Sequence, residues 1–142
     1  MKKILVAVSG GVDSIVLVDF LIDFFKQKNG LKWVEDNLII AHFEHGIRGK
    51  ESMRDLEFVR KFANENNLRF EFKRGFLGEN ASEEKARKAR YDFLKALAKR
   101  ENAEIFTAHH KNDLAETFVM NLNRGGGWRA IACFDSPNIK RP

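Results

Sequence analysis

The residues of this chain best suited to chemistry lie at positions 9–14, where the sequence reads Ser-Gly-Gly-Val-Asp-Ser between two apolar runs. An apolar strand, a glycine-rich turn and a following helix present free backbone N–H groups to an anion. Gly10 and Gly11 leave room for close backbone approach. Asp13 would repel a phosphate unless a cation lay between them, so the segment predicts a nucleotide site with Mg²⁺ at Asp13. The predicted binding residues are Ser9, Gly10, Gly11, Val12, Asp13 and Ser14.

This segment, which we name the phosphate loop, differs from two well-known phosphate-binding motifs. No lysine follows the glycines, as a Walker A motif requires, and the glycine spacing is not that of the dinucleotide-binding fingerprint. An ordinary strand-to-helix turn, capped by Asp13 or Ser14, is the structural alternative.

A second polar segment spans residues 107–117 and reads Thr-Ala-His-His-Lys-Asn-Asp-Leu-Ala-Glu-Thr. We predict a helix over 112–123, on which Asp113 and Glu116 would share a face one turn apart. With His109 nearby, these acids could bind Mg²⁺ or the ammonium group of an amine substrate. A zinc site is a further alternative, although no His-Glu-x-x-His pattern is present. Helix capping without a metal is the simplest alternative.

Arginines in three other segments are candidate phosphate or nucleic-acid contacts. Arg48 follows Gly46, which permits a tight turn that could present the guanidinium group to a phosphate. Arg87 and Arg90 are three residues apart on a predicted helix and could reach a common phosphate. A glycine-rich loop combines guanidinium groups with a ring that could stack on a base, in Arg124, Trp128 and Arg129. Exposed surface arginines are the alternative in each case.

Alternating strands and helices would position these segments. The predicted strands cover 4–8, 38–43, 70–72 and 104–108, and the predicted helices 13–28, 51–67, 81–100 and 112–123. This alternation predicts an α/β fold, a Rossmann-like parallel sheet with helices on both faces. Ligands bind such sheets at the carboxyl ends of the strands, where the phosphate loop, residues 44–48 and residues 109–116 should converge. His42, within the second strand, is expected to pack in the core.

Composition and charge restrict the class of protein further. The chain has 142 residues, a net charge of +5 and 44% hydrophobic residues, which fits one globular domain with a modest basic excess. Its single cysteine, Cys133, excludes an internal disulfide and a paired-cysteine site. No apolar run approaches the length of a membrane span and no signal peptide is recognisable, so we expect a cytoplasmic protein without a membrane partner.

The phosphate loop resembles the Ser-Gly-Gly-x-Asp-Ser loop of the PP-loop ATP pyrophosphatases. Four further stretches occur in the order found in one branch of that superfamily, the tRNA(Ile)-lysidine synthetases. They are His45-Gly46-Ile47-Arg48-Gly49 with Glu51-Ser52, Ala86-Arg87 with Arg90-Tyr91, Thr107 through Asp113 with Glu116-Thr117, and Arg124-Gly125 with Gly127. On this resemblance, residues 1–123 form a PP-loop ATP-binding catalytic domain, and residues 124–142 are a glycine-rich basic loop and a truncated tail of the same domain.

The resemblance implies a carbon–nitrogen ligase. ATP would adenylate C2 of the wobble cytidine, C34, of tRNA(Ile) with a CAU anticodon. L-lysine would then be ligated at C2, with release of AMP and pyrophosphate. The phosphate loop would hold ATP and Mg²⁺, the latter at Asp13. Carried over by position, His109, Asp113 and Glu116 would line the lysine and cytosine side. Phosphate or tRNA contacts would come from Arg48, Arg87, Arg90 and Arg124.

Two other functions are compatible with the sequence. A PP-loop tRNA thiolase would adenylate a similar base but deliver sulfur, a reaction that generally uses paired or catalytic cysteines, whereas Cys133 is alone. A truncated ATP-binding fragment without full activity is the second alternative, because the chain ends at Arg141-Pro142 with no predicted closing element. The sequence does not indicate an oligomeric state.

Overall fold

The computed structural model describes residues 2–9, 12–44, 50–75, 83–111, 114–122 and 127–135. Within these ranges the chain alternates strands and helices over its first two thirds and ends in consecutive strands. The elements are β1 (Lys3–Ala7), α1 (Val12–Asn29), α2 (Leu31–Asn37), β2 (Leu38–Glu44), α3 (Lys50–Glu65), β3 (Arg69–Arg74), α4 (Glu83–Glu101), β4 (Ala103–Lys111), β5 (Leu114–Met120) and β6 (Trp128–Asp135).

The described strands form one six-stranded sheet in the order β3-β2-β1-β4-β5-β6. The first four strands in this order are parallel, as the register pairs Leu5↔Ile39 and Leu5↔Ile105 show on the two sides of β1. The last two are antiparallel to their neighbours. The α/β sheet predicted from the sequence is therefore confirmed in its parallel part, where each crossover carries a helix.

Helices cover both faces of the sheet, as predicted. On β1, Ile4 and Val6 belong to the core on the side of α1, α2 and α3, where Leu17 and Val59 pack. Leu5, the residue between them, belongs to the core on the opposite side, where Leu97 of α4 packs. This alternation follows from the two-residue period of a strand. Since both faces of β1 are covered, its residues 4–6 are all buried.

The helix predicted over 112–123 is wrong. Residues 114–120 instead form strand β5, which pairs with β4 on one side and β6 on the other. The segment contains Thr117, Phe118 and Val119, which are β-branched or aromatic and favour a strand. Two neighbouring ladders satisfy its backbone groups, so tertiary pairing outweighs the helical spacing of its apolar residues. Glu116 therefore lies on a strand and not on a helix, and Asp113 lies outside the described residues.

Two further elements were not predicted. The region from residue 124 onward was expected to lack regular structure, but β6 continues the sheet as its edge strand. The short helix α2 lies between the predicted ends of α1 and β2, and its single fully buried residue, Val34, joins the core under α1. Neither element has a strong apolar period of its own, so each depends on contacts with residues distant in the sequence.

Within β5, Thr117 is fully buried, and its hydroxyl has no hydrogen-bond partner among the described residues. Thr117→Val removes this hydroxyl at nearly constant shape. We expect the free energy of unfolding to rise by about 0.5–1 kcal/mol, because the buried hydroxyl loses hydration without gaining a bond. Urea unfolding measures the change, with Thr107→Val on the neighbouring strand as the half-buried control. A loss of more than about 1 kcal/mol would contradict this placement of Thr117.

A group of ion pairs joins the end of α4 to the amino ends of β1 and β3. The guanidinium of Arg69 donates to both carboxylate oxygens of Glu101, at 2.6 and 2.9 Å, and Lys3 donates at 3.3 Å. Arg100 donates to the same carboxylate at 3.1 Å. The hydrogen bonds from Arg69 are the largest cause of a lowered pKa at Glu101, about 2 instead of 4.5. The ionised carboxylate therefore stabilises the fold.

Glu101→Gln is expected to lower the free energy of unfolding at pH 7 by about 1–2 kcal/mol, since solvent around the exposed cations screens part of the interaction. The contribution is complete above pH 4.5 and disappears as the pH falls through about 2, because protonation removes the charge. Urea unfolding between pH 2 and 7 should show the two proteins converging at the acid end. Glu65→Gln, at an exposed pair with Lys61, is the matched control. A difference that stays constant with pH would rule out the proposed role of the charge.

Across the described ranges, none of the helices combines the length and the apolar character that crossing a lipid bilayer demands.

Candidate functional site

The carboxyl ends of β1, β2 and β4, which the predicted polar segments follow in the sequence, lie at one edge of the sheet. These three strands are adjacent and parallel, so their carboxyl ends lie side by side. Ser9 follows β1, Glu44 ends β2 and Lys111 ends β4. The start of β5 lies at the same edge because β5 is antiparallel to β4. The predicted convergence at the carboxyl edge is confirmed for the backbone of these residues.

The two ends of the phosphate loop are hydrogen-bonded to each other. The backbone N–H of Ser9 donates to Oγ of Ser14 at 3.2 Å, and the two hydroxyl oxygens are 3.5 Å apart. Ser9 is exposed, whereas Ser14 is buried in the first turn of α1. A solvent-facing hydroxyl thus lies beside the N-terminus of an 18-residue helix, where the helix dipole favours an anion.

The remaining predicted residues of the phosphate loop are only partly described. Gly10 and Gly11 lie outside the described residues. Val12 and Asp13 are the first two residues of α1, and their side chains lie outside the described part. The backbone therefore places Asp13 in the first helical turn at the carboxyl edge. Within the described ranges, no group of three or more His, Cys, Asp or Glu residues could hold a metal ion.

At the end of β2, an ion pair between a buried glutamate and an exposed arginine was not predicted from the sequence. Nε of Arg74 donates to Oε2 of Glu44 at 2.8 Å, and the Glu44 side chain is only 2% exposed. The N–H of Gly75 also donates to the backbone oxygen of Glu44, at 2.8 Å. A Cβ atom on Gly75 would approach the Phe43 ring to 2.5 Å, so a larger residue at this position would require the ring to move. An acid directly after the apolar run 38–43 was the available sequence signal.

These contacts precede the segment that contains Arg48. Arg48 itself lies outside the described residues, so its prediction as a phosphate contact stays a prediction. Glu44 and Arg74 belong to neighbouring strands and are opposite each other in the register. The ion pair therefore joins the ends of β2 and β3 beside the predicted phosphate site.

The second predicted group of residues lies around the junction of β4 and β5. Glu116 is half-buried and faces His109 in the β4 register and Cys133 in the β6 register. The side chain of His109 lies outside the described part, and Asp113 lies outside the described residues. The structure therefore brings the backbones of His109 and Glu116 together across a strand pair, not along a helix face.

A cluster of arginines and aromatic rings forms where α4 faces β6. The guanidinium carbons of Arg87 and Arg90 lie 5.4 and 5.3 Å from the centre of the Tyr91 ring. The Trp128 ring is 5.8 Å from the same ring. These distances are those of cation–π contacts and a tilted ring pair. Arg87 and Arg90 thus contact the same ring, and their role as phosphate or tRNA contacts stays a prediction. Arg124 lies outside the described residues.

His42 packs in the core, as predicted. Its hydrogen bond was not predicted. Nδ1 is 2.7 Å from the backbone oxygen of Val8, the residue before the phosphate loop. The side chain is buried, and Nε2 has no hydrogen-bond partner among the described residues. A histidine inside an otherwise apolar strand was the only sequence signal, and it did not reveal the partner.

Comparisons with known proteins agree with this geometry. The chain matches the family model described as a PP-loop domain over residues 1–142. It is also similar to proteins named tRNA(Ile)-lysidine synthase. The one from Thermotoga maritima is 40% identical over 139 residues, which are 93% of this chain and 32% of that protein. The one from Thermosipho africanus is 42% identical over 135 residues, with 88% and 29% covered. The one from Streptococcus agalactiae serotype V is 34% identical over 148 residues, with 99% and 33% covered.

The chain spans about a third of the length of the curated relatives it matches. The family match extends over the whole chain, whereas the similarity to the relatives covers only part of each of them.

Proposed function

The chain belongs to the PP-loop family, and we propose on this basis that it forms the ATP-using part of a cytoplasmic tRNA(Ile)-lysidine synthase. The substrates are ATP, L-lysine and tRNA(Ile) with a CAU anticodon. The similarity to relatives of that name, over 88% to 99% of this chain, supports the choice within the family.

The reaction has two steps. The C2 oxygen of the wobble cytidine, C34, attacks the α-phosphorus of ATP, and the bond to pyrophosphate breaks. The ε-amine of lysine, having lost a proton, then attacks C2, and AMP leaves with the former C2 oxygen. A second proton leaves the nitrogen as the product forms. Adenylation is needed because the C2 oxygen is otherwise a poor leaving group.

The proposal that this chain binds ATP rests on the arrangement of Ser9 and Ser14 at the carboxyl edge. An exposed hydroxyl and the N-terminus of α1 lie together there, with a hydrogen bond joining the two loop ends. Such a site stabilises the negative charge that develops on pyrophosphate as it departs. Mg²⁺, when bound at Asp13, would neutralise part of this charge. The position of Asp13 in the first turn of α1 is compatible with that role.

Binding of lysine is assigned to His109, Asp113 and Glu116. Acidic side chains suit a cationic amino acid, and the register pair His109↔Glu116 supports a site between β4 and β5.

Contacts with tRNA are assigned to Arg48, Arg87, Arg90 and Arg124. The contacts of Arg87 and Arg90 with the Tyr91 ring favour this assignment, because guanidinium groups held on a ring suit phosphates and stacked bases.

The proposal is tested by measuring AMP release in the protein that carries this chain. We expect release to require both lysine and tRNA(Ile) with C34, and to stop when C34 is replaced by uridine. Mass spectrometry of the tRNA should show the added lysine. Sulfur incorporation without dependence on lysine would support a thiolase instead, and ATP binding without any AMP release would support a fragment that only binds ATP.

Glu116→Gln separates the amino-acid site from the nucleotide site. We expect the KM for lysine to rise about 10-fold, since a neutral amide no longer attracts the ammonium group. The Kd for ATP should change less than about 2-fold. Glu104→Gln, near the opposite end of β4, is the control and should affect neither value. A variant that weakens ATP binding more than lysine use would show that the amino-acid site is misplaced.

A further inference from the structure

We propose that His42 is a positioning residue, which sets the entry of the chain into the phosphate loop through the backbone oxygen of Val8. The proposal concerns the geometry of the loop in the free protein. Its consequence for ATP rests on the proposed function.

The backbone of Val8 is held by β2 through two different kinds of contact. Its N–H donates to the backbone oxygen of Ala41 at 2.8 Å, which extends the ladder beyond the last register pair of β1 and β2, Ala7↔Ala41. Its carbonyl oxygen is bound instead by the imidazole of His42, at 2.7 Å. A side chain thus binds the Val8 carbonyl at the point where β1 ends and the phosphate loop begins.

The contact also defines the state of the imidazole. A carbonyl oxygen only accepts, so Nδ1 must carry the hydrogen. Nε2 is buried and has no partner among the described residues, and His42 as a whole is 3% exposed. The ring therefore acts as a one-sided donor directed at Val8.

The position of Val8 affects the positions of both ends of the phosphate loop, Ser9 and Ser14. Ser9 follows Val8 directly, and the N–H of Ser9 donates to Oγ of Ser14 in the first turn of α1. Val8 is itself 3% exposed, so little space exists for it to adopt another position. Loss of the His42 contact would remove the hydrogen bond that the imidazole donates to this buried carbonyl, and the chain would shift at Ser9 to reach another donor.

Two substitutions separate the donor from the rest of the ring. In His42→Asn, the amide nitrogen can occupy the place of Nδ1 and still donate to Val8. In His42→Gln, the amide lies near the place of Nε2 and loses that contact, although the side chain is closer in size to histidine. If side-chain size determined the effect, His42→Gln would disturb the phosphate loop less than His42→Asn. If the position of the donor determines it, His42→Asn disturbs the loop less. Urea unfolding first establishes that each variant is folded.

The first readout is the backbone amide resonances of Ser9 and Ser14 in the absence of nucleotide. We expect both to move in His42→Gln and to remain near their original positions in His42→Asn. The second readout is the Kd for MgATP, which we expect to rise about 10-fold in His42→Gln and less than about 3-fold in His42→Asn.

The positioning role is overturned if the two variants leave Ser9 and Ser14 equally affected, or equally unaffected. If the resonances separate the variants but the original protein binds no MgATP, the positioning role stands and the proposed ATP-using function fails. If MgATP binds and its affinity does not follow the resonances, the claimed effect on ATP is wrong while the proposed function is retained.

Discussion

Replacement of Asp13 by asparagine is expected to reduce Mg²⁺-dependent ATP turnover by about 100-fold or more, because a neutral amide would hold the proposed cation near the departing pyrophosphate much less strongly than a carboxylate. The fold should remain intact, since asparagine has nearly the same shape and only a small favourable interaction with the helix dipole is lost in the first turn of α1. Steady-state AMP release with tRNA and lysine measures the effect. Urea unfolding should show a change below about 0.5 kcal/mol.

A matched control is available on the same helix. Asp23→Asn makes the same chemical change at an exposed position of α1, far from the phosphate loop, and should leave turnover unaltered. Raising the Mg²⁺ concentration should partly restore Asp13→Asn if its defect is in cation binding. Unchanged turnover in Asp13→Asn would reject the role assigned to this carboxylate.

The second large effect is expected in the core. Leu5 lies on the central part of β1, has no exposed surface and packs with Leu97 of α4 on one face of the sheet. Leu5→Ala should lower the free energy of unfolding by about 3–4 kcal/mol, from lost apolar burial and from the cavity that remains. That is a large fraction of the stability of a typical domain.

The control makes the same substitution where about half of the residue is already exposed. Leu31 begins α2 and is 49% exposed, so Leu31→Ala should change the free energy of unfolding by less than about 0.5 kcal/mol. Urea unfolding of both variants gives the comparison. Similar losses in the two variants would contradict the placement of β1 between two covered faces.

The sequence was sufficient to predict the parallel half of the sheet. The runs around Leu5, Ile40 and Ile105 are short, apolar and bounded by polar turns, and each is buried because both faces of its strand are covered. The intervening segments have helical spacing, and the crossover rule then places the strand ends on one edge. Prediction succeeded where local pattern and tertiary environment agree.

The antiparallel half depends on contacts that no local pattern reveals. Residues 114–120 have apolar spacing compatible with either a helix or a strand, and pairing with β4 and β6 decides between them. Trp128 starts a strand although it follows a glycine-rich segment, because the backbone of β6 pairs with the edge of β5. The ion pair between Glu44 and Arg74 joins residues 30 positions apart. Secondary-structure propensity is local and does not indicate such a contact.

The candidate site divides in the same way. The position of Ser9 and Ser14 at the carboxyl edge was predictable from the change from strand to helix, whereas phosphate binding there stays a prediction from residue type and the neighbouring glycines. The contact of His42 with Val8 was missed, since the two residues are 34 positions apart and a histidine in an apolar strand normally indicates only a core position. Arg87 and Arg90 were predicted to act together, but their contacts with the Tyr91 ring required the structure.

The central claim is that the carboxyl edge of the sheet binds ATP through its phosphates. The most direct measurement is an amide NMR titration of this chain with MgATP and, separately, with AMP. We predict that MgATP moves the resonances of Ser9 and Ser14, and that AMP binds at least about 10-fold more weakly because it lacks the pyrophosphate. The claim is contradicted if MgATP binds no more tightly than AMP. It is equally contradicted if the changes map to the amino edge, where a cavity of about 380 Å³ is lined by residues that include Lys95, Lys99 and Asn102.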